Sequence, residues 1–329
     1  MALSVPLSVL DLAVINRERS VADALHASVD LARKAEELGY QRVWYAEHHN
    51  MASIASSATS VLIAHVAAHT ERIRLGAGGI MLPNHSPLVI AEQFGTLAEL
   101  HPGRIDLGLG RAPGSDQNTM RALRRDPTSS DSFPQDVLEL QGYLTGETRI
   151  ADVQAVPGRG TNVPLYILGS SLFGAQLAAA LGLPFAFASH FAPQALEQAA
   201  VLYRERFEPS AQLDRPHLIA AVNVLAADSE DEARRHFQVR RHEFARGIFS
   251  RPGHRLDDEQ VEGVLASPQG AMVDQMLTHT ALGTPDMVAS YLEDFRALTD
   301  ADELITAHQA DTIEGRLRSL ELLADLVAV

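Results

Sequence analysis

The chain contains no cysteine among its 329 residues. Disulfide bonds, thiolate metal sites and cysteine nucleophiles are therefore excluded, and we expect a reducing compartment such as the cytoplasm. Basic residues are also scarce, because 27 Lys and Arg stand against 42 Asp and Glu and the net charge is -15. Nucleic acids and anionic membranes favour basic surfaces, so we expect neither as a partner.

Membrane-spanning and secretory segments are not expected either. Residues 1–10 are apolar, but they are too short to cross a bilayer and carry no basic leader. We interpret them as part of the first buried strand. The sequence has no linker, internal repeat or low-complexity tract, and we therefore expect residues 1–329 to form a single domain.

Short apolar runs alternate with longer segments of helical periodicity, a pattern typical of βα units around a parallel sheet. The predicted strands are Val5–Leu12, Arg42–Ala46, Ile73–Met81, Ile105–Gly110, Leu165–Leu168, Phe185–Ala188, Ala220–Ala226 and Leu304–Ala307. These runs are almost continuously apolar, as strands covered on both faces should be. Eight such units favour an α/β fold, a (β/α)8 TIM barrel, although an open doubly wound sheet has a similar pattern.

The predicted helices lie between these strands. The first covers Ser20 to Leu38, with Ser20 as the N-cap and Gly39 as the stop. The others are Ser56–His69, Pro87–Leu100, Asp136–Leu144, Phe173–Leu181, Pro193–Phe207, Ser229–Phe249, Asp286–Leu298 and Thr312–Val327.

Two connections are longer than the loops of a simple βα repeat. Ala112–Phe133 follows strand 4, and Arg251–Thr284 lies in the strand 7 to strand 8 region. Long connections in a compact domain commonly serve as lids. We predict that Arg251–Thr284 is mobile without a ligand and closes over the barrel mouth when the ligand binds, with Pro252-Gly253 and Gly283 as hinges. The alternative is a static helical excursion packed on the barrel flank.

Active sites of TIM barrels lie where strands run into the following loops. The second strand ends in a cluster of Glu47, His48 and His49, which can supply a general base near neutral pH. A metal site is the alternative. Neighbouring residues on a strand point to opposite faces, so an ion would need further ligands such as His190 or Asp106. We therefore expect no metal.

Two further strand ends carry residues suited to a ligand. Gly78 and Gly79 remove side chains from the third strand, which indicates either a close approach of a ligand or a bulge. Arg111 ends the fourth strand, and its planar fork suits a phosphate or carboxylate. A salt bridge to Asp106 or to a glutamate at the rim is the alternative for Arg111.

A phosphate site is also indicated after the fifth strand. Ser170 and Ser171 precede a helix whose free N–H groups and dipole favour an anion, although serines in this position are more often simple N-caps. Among the remaining histidines, His65 and His69 lie on helical faces and are expected to be structural. His85 and His190 lie on strand-exit loops and are pocket candidates.

Taken in order, these residues resemble the bacterial luciferase-like flavin monooxygenases. The resemblance covers nearly the whole chain, and it is closer to the uncharacterised luciferase-like oxidoreductases than to the light-emitting subunits. The motifs that carry it are Ala46-Glu-His-His-Asn50, Leu75-Gly-Ala-Gly-Gly-Ile-Met-Leu-Pro83, Ala91-Glu-Gln93, Pro102-Gly-Arg-Ile-Asp-Leu-Gly-Leu-Gly-Arg111, Leu168-Gly-Ser-Ser171 and Asp302-Glu-Leu304.

The resemblance implies a TIM barrel that uses reduced FMN and molecular oxygen on a small organic substrate. A separate flavin reductase supplies the reduced FMN. His48 is implied as the catalytic residue, either as general base or as the group that stabilises the oxygenated flavin. Gly78-Gly79 matches a non-proline cis peptide against the isoalloxazine ring. The cofactor-binding residues implied are Glu47, Gly78, Gly79, Arg111, Ser170 and Ser171.

The sequence also departs from the luciferase pattern. Gln135 replaces a second phosphate arginine, so FMN binding is expected to be modest unless Arg124 or Arg125 substitutes. Related barrels transfer hydride with the deazaflavin F420, and F420 is the alternative cofactor. The pattern is also compatible with a flavin-binding protein without turnover and with a metal-dependent hydrolase. The resemblance further implies a homodimer that packs around the helices after strands two and three.

Overall fold

The computed structural model describes residues 3–15, 20–112, 117–250 and 254–327. Its strands pair in parallel, and eight of them close into a barrel in the order β1-β2-β3-β4-β5-β6-β7-β9, with β9 paired to β1. The predicted TIM barrel is confirmed, and the open doubly wound sheet is wrong. The strands are β1 (Leu7–Asp11), β2 (Arg42–Tyr45), β3 (Arg74–Met81), β4 (Ile105–Gly110), β5 (Leu165–Gly169), β6 (Phe185–Phe187), β7 (Leu218–Ala226), β8 (Thr280–Gly283) and β9 (Glu303–His308).

Every strand predicted from an apolar run is present. The clearest case is β7, in which each residue from Leu218 to Ala226 is buried, as expected for a strand between a packed interior and a layer of helices. The additional strand β8 was not predicted. It pairs only with the end of β7, from Asn223 opposite Thr280 to Ala226 opposite Gly283, and lies outside the closed ring.

Helices surround the barrel. The start and end of α1 were predicted correctly, because Ser20 forms a capping box with Asp23 and the chain turns at Gly39 with a φ of +83°. The helices are α1 (Val21–Glu37), α2 (Thr59–Ala67), α3 (Pro87–Leu100), α4 (Gln117–Ala122), α5 (Phe133–Thr145), α6 (Leu172–Leu181), α7 (Leu196–Glu205), α8 (Glu230–Phe249), α9 (Asp258–Leu265), α10 (Pro268–Met276), α11 (Pro285–Thr299) and α12 (Ile313–Leu322). Within the described ranges, no helix combines the length and apolarity that a bilayer crossing requires.

The connection predicted as a lid is folded. Its first three positions, including the Pro252-Gly253 hinge, lie outside the described residues, and the remainder forms α9, α10 and β8. Val261, Leu265 and Val273 form a small apolar cluster with Ala245 of α8. Of the described part of this segment, Met276 alone lines the cavity at the barrel mouth. This packing is that of the static alternative, and closure remains a prediction.

An ionic cluster fills the barrel near the amino ends of the strands. Arg42 donates to Asp106 at 2.7 Å and to Glu303 at 2.9 Å, and the Trp44 indole donates to Asp106 at 3.1 Å. All four side chains are buried. Asp106 is thus held in the interior. Asp106 therefore does not form the salt bridge that was the alternative for Arg111. It is also not available as an additional metal ligand for the loop after β2.

Candidate active site

A cavity of about 1020 Å³ opens where the strands of the barrel end. Active sites of TIM barrels occupy this position. Its volume reaches the upper end of the range of about 300–1,000 Å³ typical of small-molecule pockets. The wall receives residues from most of the strand ends, among them Leu10, Trp44, Gly79, Gly110, Gly169, Phe187, Asn223 and His308.

His48 lies on the wall of this cavity, directly after β2. Its Nδ1 atom is buried and has no hydrogen-bond partner in the described part of the chain. Burial lowers the pKa of His48, with the Glu47 carboxylate opposing this effect and His49 adding to it. The imidazole is therefore neutral at pH 7 and able to accept a proton, which a general base requires.

Glu47 points away from the cavity, although the sequence placed it among the cofactor contacts. Its carboxylate is 1% exposed and interacts with the Nε2 atoms of His49 and His85, each at 2.8 Å, and accepts from the Met81 N–H at 3.1 Å. Burial raises the pKa of Glu47, but these hydrogen bonds outweigh it and leave the pKa below its ordinary value. Glu47 therefore joins the loop after β2 to the end of β3.

The side chains of Glu47, His49 and His85 also bear on whether the site could bind a metal ion. The potential ligand atoms of Glu47, His49 and His85 lie within 4.8 Å of one another, and His48 is not among them. The metal set considered from the sequence was Glu47, His48 and His49 with a further ligand such as His190 or Asp106. The structure brings Glu47 and His49 together with His85, and it does not place His48, His190 or Asp106 in that cluster. Both histidine nitrogens already interact with Glu47, and that hydrogen bond raises the pKa of His49.

Gly78 and Gly79 line the cavity through their backbone, and the peptide between them is cis, as the resemblance implied. A Cβ on Gly79 would lie 2.8 Å from the Gly108 carbonyl oxygen, and one on Gly78 would lie 2.9 Å from the Trp44 Cβ. No larger residue fits without displacing the backbone or the indole. The pairing of β3 with β4 also shifts at this point, so the bulge alternative holds as well.

Arg111 lines the cavity at the end of β4. Its Cζ lies 4.3 Å from the centroid of the Phe173 ring, and its Nε donates to the Ser130 carbonyl at 3.3 Å. The carboxylate of Asp131 lies 3.9 Å from Nη2. The side chain remains 43% exposed, so these contacts orient the guanidinium and leave it accessible to an anion.

The beginning of α6 faces the same part of the cavity. Ser170 and Ser171 both line it, and Ser171 is the N-cap residue but makes no side-chain capping hydrogen bond. The alternative of a serine whose hydroxyl caps the helix is therefore wrong. Phe173, which stacks on Arg111, lies in the first turn of α6. An arginine, two hydroxyls and a helix N-terminus thus converge, an arrangement suited to a phosphate.

Luciferases have a second phosphate-binding arginine where this chain has Gln135, and none of the substitutes expected from the sequence takes its place on the cavity wall. Neither Gln135 nor Arg124 nor Arg125 belongs to the cavity wall. Arg125 is directed elsewhere, because its Nε donates to the Asn84 carbonyl at 3.3 Å. The expectation that Arg124 or Arg125 substitutes is therefore wrong.

The basic residues of the cavity wall also include His190 after β6, Arg240 on α8, His308 and Arg316. Burial lowers the pKa of His190 to about 3, and the charges of Arg240 and His48 act in the same direction. Burial lowers the pKa of Arg240 to about 10, with Glu243 opposing the shift. His190 was a pocket candidate in the sequence, whereas Arg240 was not singled out.

Related proteins agree with this architecture. The sequence model of the luciferase-like monooxygenase family matches residues 6–302. A luciferase-like monooxygenase of Escherichia coli K12 is 49% identical over 325 residues, which cover 98% of this chain and 97% of that protein. The N-acetyl-S-alkylcysteine monooxygenase of Bacillus subtilis is 32% identical over 334 residues, which cover 98% of both chains.

Solved structures extend the comparison. The apo form of MsnO8 superposes with a TM-score of 0.86 at 34% identity, over 98% of both chains. The oxygenating component of 3,6-diketocamphane monooxygenase from Pseudomonas putida, in complex with FMN, gives 0.74 at 17% identity over 99% and 98% of the two chains. The F420-dependent tetrahydromethanopterin reductase of Methanopyrus kandleri gives 0.70 at 17% identity over 98% of both. The last two show a common fold only. The family match and the closer relatives establish that this chain belongs to the luciferase-like monooxygenases.

Proposed function

We propose that the protein is an FMN-dependent monooxygenase acting on a small organic substrate, with reduced FMN supplied by a separate flavin reductase. The observation that carries the proposal is the convergence in one cavity of three elements. These are Arg111 beside the start of α6, the Gly78-Gly79 backbone wall, and the His48 Nδ1, which has no hydrogen-bond partner among the described residues. The family supports an oxidoreductase, and the cavity of about 1020 Å³ supports a ligand of the size of a flavin mononucleotide.

The residues fit the cofactor at both of its ends. Arg111, Ser170 and Ser171 would hold the phosphate, since a guanidinium and a helix N-terminus are the groups that proteins use for this purpose. The Gly78-Gly79 backbone would lie against the flat ring system, where any Cβ would collide with its surroundings. When bound, reduced FMN supplies the oxygen chemistry, which no amino-acid side chain provides.

The protein itself would orient the substrate, exclude water and accept or donate one proton. His48 is the residue we assign to the proton, because its buried Nδ1 has no partner in the described structure and its pKa is lowered by burial. Glu47 is assigned a positioning role. It interacts with His49, the direct neighbour of His48, and with the Met81 backbone next to the glycine wall.

F420 is the second candidate cofactor, since one solved relative of the same fold uses it. FMN is favoured because that similarity is at 17% identity, whereas the relatives at 49% and 32% identity described above are named monooxygenases. A flavin carrier without turnover would not need a neutral histidine on the cavity wall.

Turnover in a coupled assay tests the proposal. The protein is incubated aerobically with FMN, NADH and an added flavin reductase, and candidate substrates are screened by mass spectrometry for a gain of one oxygen. N-acetyl-S-alkylcysteines enter the panel because a relative is named for them. Oxygenated product that requires both FMN and the reductase supports the proposal. Product formation with reduced F420 but never with reduced FMN contradicts it.

We further propose a homodimer formed through α2 and α3. Both helices carry large apolar side chains on their outer faces, including Val61, which is 67% exposed, and Val89, which is 44% exposed. Sedimentation equilibrium tests this proposal. A dimer that a Val61→Glu substitution converts to a monomer supports the assignment, and a monomeric wild-type protein contradicts it.

A further inference from the structure

The cavity contains a cation that forms no ion pair within the described part of the chain. Arg240 lies on α8, which follows β7, three strands around the barrel from the β4 end that carries Arg111. Its Nε atom is buried and has no hydrogen-bond partner within the described ranges. Its guanidinium lies over the ring of Phe244, whose centroid is 5.1 Å from Cζ.

The other charged groups on the cavity wall have partners of their own. Arg111 is held by Ser130 and Asp131, as described above. Two carboxylates reach the wall, those of Glu243 and Asp311. The charge of Glu243 opposes the lowering of the pKa of Arg240, but within the described residues neither carboxylate forms a salt bridge with Arg240. Arg316 pairs with Asp11 at 3.6 Å. Glu243 pairs with Arg255 at 3.1 Å and with Arg246 at 3.3 Å. Asp311 pairs with His236 at 2.7 Å.

A partly buried cation with no salt bridge and an unpaired buried Nε is unfavourable, and a bound anion would complete the pair. Arg240 stays protonated at neutral pH, because burial lowers its pKa only to about 10. Its neighbour His190 is neutral at that pH, so it adds no second charge. One positive charge is thus available to a ligand on this side of the cavity.

The cavity wall to which Arg240 belongs also carries exposed apolar side chains. Phe191 is 39% exposed and Ile248 is 37% exposed, and both line the same cavity as Met51 and Met276. Single exposed apolar side chains are ordinary on protein surfaces, but several on one concave wall mark a binding site. The ligand that fits is amphiphilic, with an apolar body and an anionic end.

We propose that Arg240 binds the carboxylate or sulfonate group of the substrate, whose apolar body lies against Phe191 and Ile248. The inference rests on the proposed function, in that the anion belongs to the molecule that is oxygenated. His190 interacts electrostatically with both Arg240 and His48, so the anion site and the proposed base are neighbours. The phosphate site at Arg111 and the substrate anion site at Arg240 are then separate.

Binding can be followed with the fluorescence of Trp44, the sole tryptophan, because this residue lines the cavity. The probes are octanoate, octanesulfonate and the neutral octanamide, which share an apolar chain. Wild-type protein should bind at least one of the two anions about tenfold or more tightly than octanamide, as expected for a charge-assisted pair. Comparison of the two anions distinguishes a carboxylate site from a sulfonate site.

Three variants test whether the preference for anions over octanamide depends on Arg240. Arg240→Gln should lose the preference for anions, and Arg240→Lys should retain part of it. Arg234→Gln is the matched control, because Arg234 lies on the same helix, is 63% exposed and pairs with Glu230. FMN binding by Arg240→Gln should equal that of wild type, which also shows that the variant is folded.

Several results would overturn the anion site. These are equal binding of anions and octanamide by wild type, no binding of either anion, or an unchanged preference in Arg240→Gln. Loss of FMN but not riboflavin binding in that variant would instead place Arg240 at the flavin phosphate. Failure of the proposed function is distinguishable, since a wild-type protein that prefers the anions but binds no FMN supports the anion site and contradicts only the FMN proposal.

Discussion

The guanidinium of Arg111 stacks on the ring of Phe173, with Cζ 4.3 Å from the ring centroid. The two residues come from different βα units, because Arg111 follows β4 and Phe173 lies in the first turn of α6. The contact therefore fixes the position of a cation beside a helix N-terminus before any ligand arrives. Pre-formed sites avoid the entropic cost of ordering their groups on binding.

Arg111→Gln should weaken FMN binding far more than riboflavin binding. Only FMN carries the phosphate, and a charge-assisted hydrogen bond contributes about 1.5–3 kcal/mol, equivalent to roughly a tenfold to hundredfold change in affinity. Quenching of flavin fluorescence gives both dissociation constants. Riboflavin serves as the internal control, and equal losses for the two ligands would show that Arg111 does not contact the phosphate.

His48→Gln should reduce product formation by a factor of about 10²–10⁴ while FMN binding stays intact, as expected for the loss of a general base. The lowered pKa of His48 also sets a pH dependence. Wild-type turnover should be constant above pH 6.5 and decline as His48 becomes protonated at lower pH. Pre-steady-state rates across this range measure the effect. If His48→Gln shows the same decline of activity at low pH as the wild type, that decline is due to another group.

Gly79→Ala should abolish FMN binding and lower the melting temperature, because its Cβ would lie 2.8 Å from the Gly108 carbonyl oxygen. Gly263→Ala is the matched control. Gly263 lies within α9 and an added Cβ there meets nothing within 4 Å, so this substitution should be neutral or stabilising by up to about 1 kcal/mol. Thermal unfolding and flavin binding of the two variants provide the comparison, and similar behaviour of both would refute the steric account.

The free energy of unfolding should fall as the pH drops below 6.5, and His308 should contribute to the decline. Burial lowers its pKa to about 3, so between pH 6.5 and 3 the unfolded chain binds a proton that the native state does not. The resulting slope is up to about 1.4 kcal/mol per pH unit. His190 acts in the same direction, whereas the raised pKa of His49 acts oppositely.

His308→Gln isolates the contribution of His308, since the amide retains hydrogen-bonding capacity toward Ser319, whose Oγ lies 2.7 Å from Nδ1. Urea unfolding between pH 7 and pH 5 should give a shallower pH slope for this variant than for wild type. Identical slopes would mean that His308 is protonated in the native state.

The barrel could be predicted from the sequence because strands buried on both faces are continuous apolar runs, as β7 illustrates. The strand β8 could not, since Thr280–Gly283 is too short to show a period and its pairing with β7 is a tertiary event. The helices α9 and α10 were missed for a related reason. Their apolar residues suit either a pocket or the flank of α8, and only the fold decides between them.

The meeting of Arg111, Ser170 and Ser171 at one cavity wall was predicted from residue types at strand ends, which the barrel brings together by its topology. Arg240 was missed because α8 carries several arginines, and in sequence each of them resembles a solvated charge. The structure separates them. Arg234 pairs with Glu230 and Arg241 pairs with Asp274, while Arg240 shares a helix face with Phe244 and turns inward. The i, i+4 spacing of Arg240 and Phe244 was the available signal.

The most direct test of the central claim is equilibrium titration of the wild-type protein with FMN and, in parallel, with F420. The account predicts saturable binding of FMN at one site per chain, weaker binding of riboflavin, and no comparable binding of F420. Tight binding of F420 without binding of FMN would contradict it.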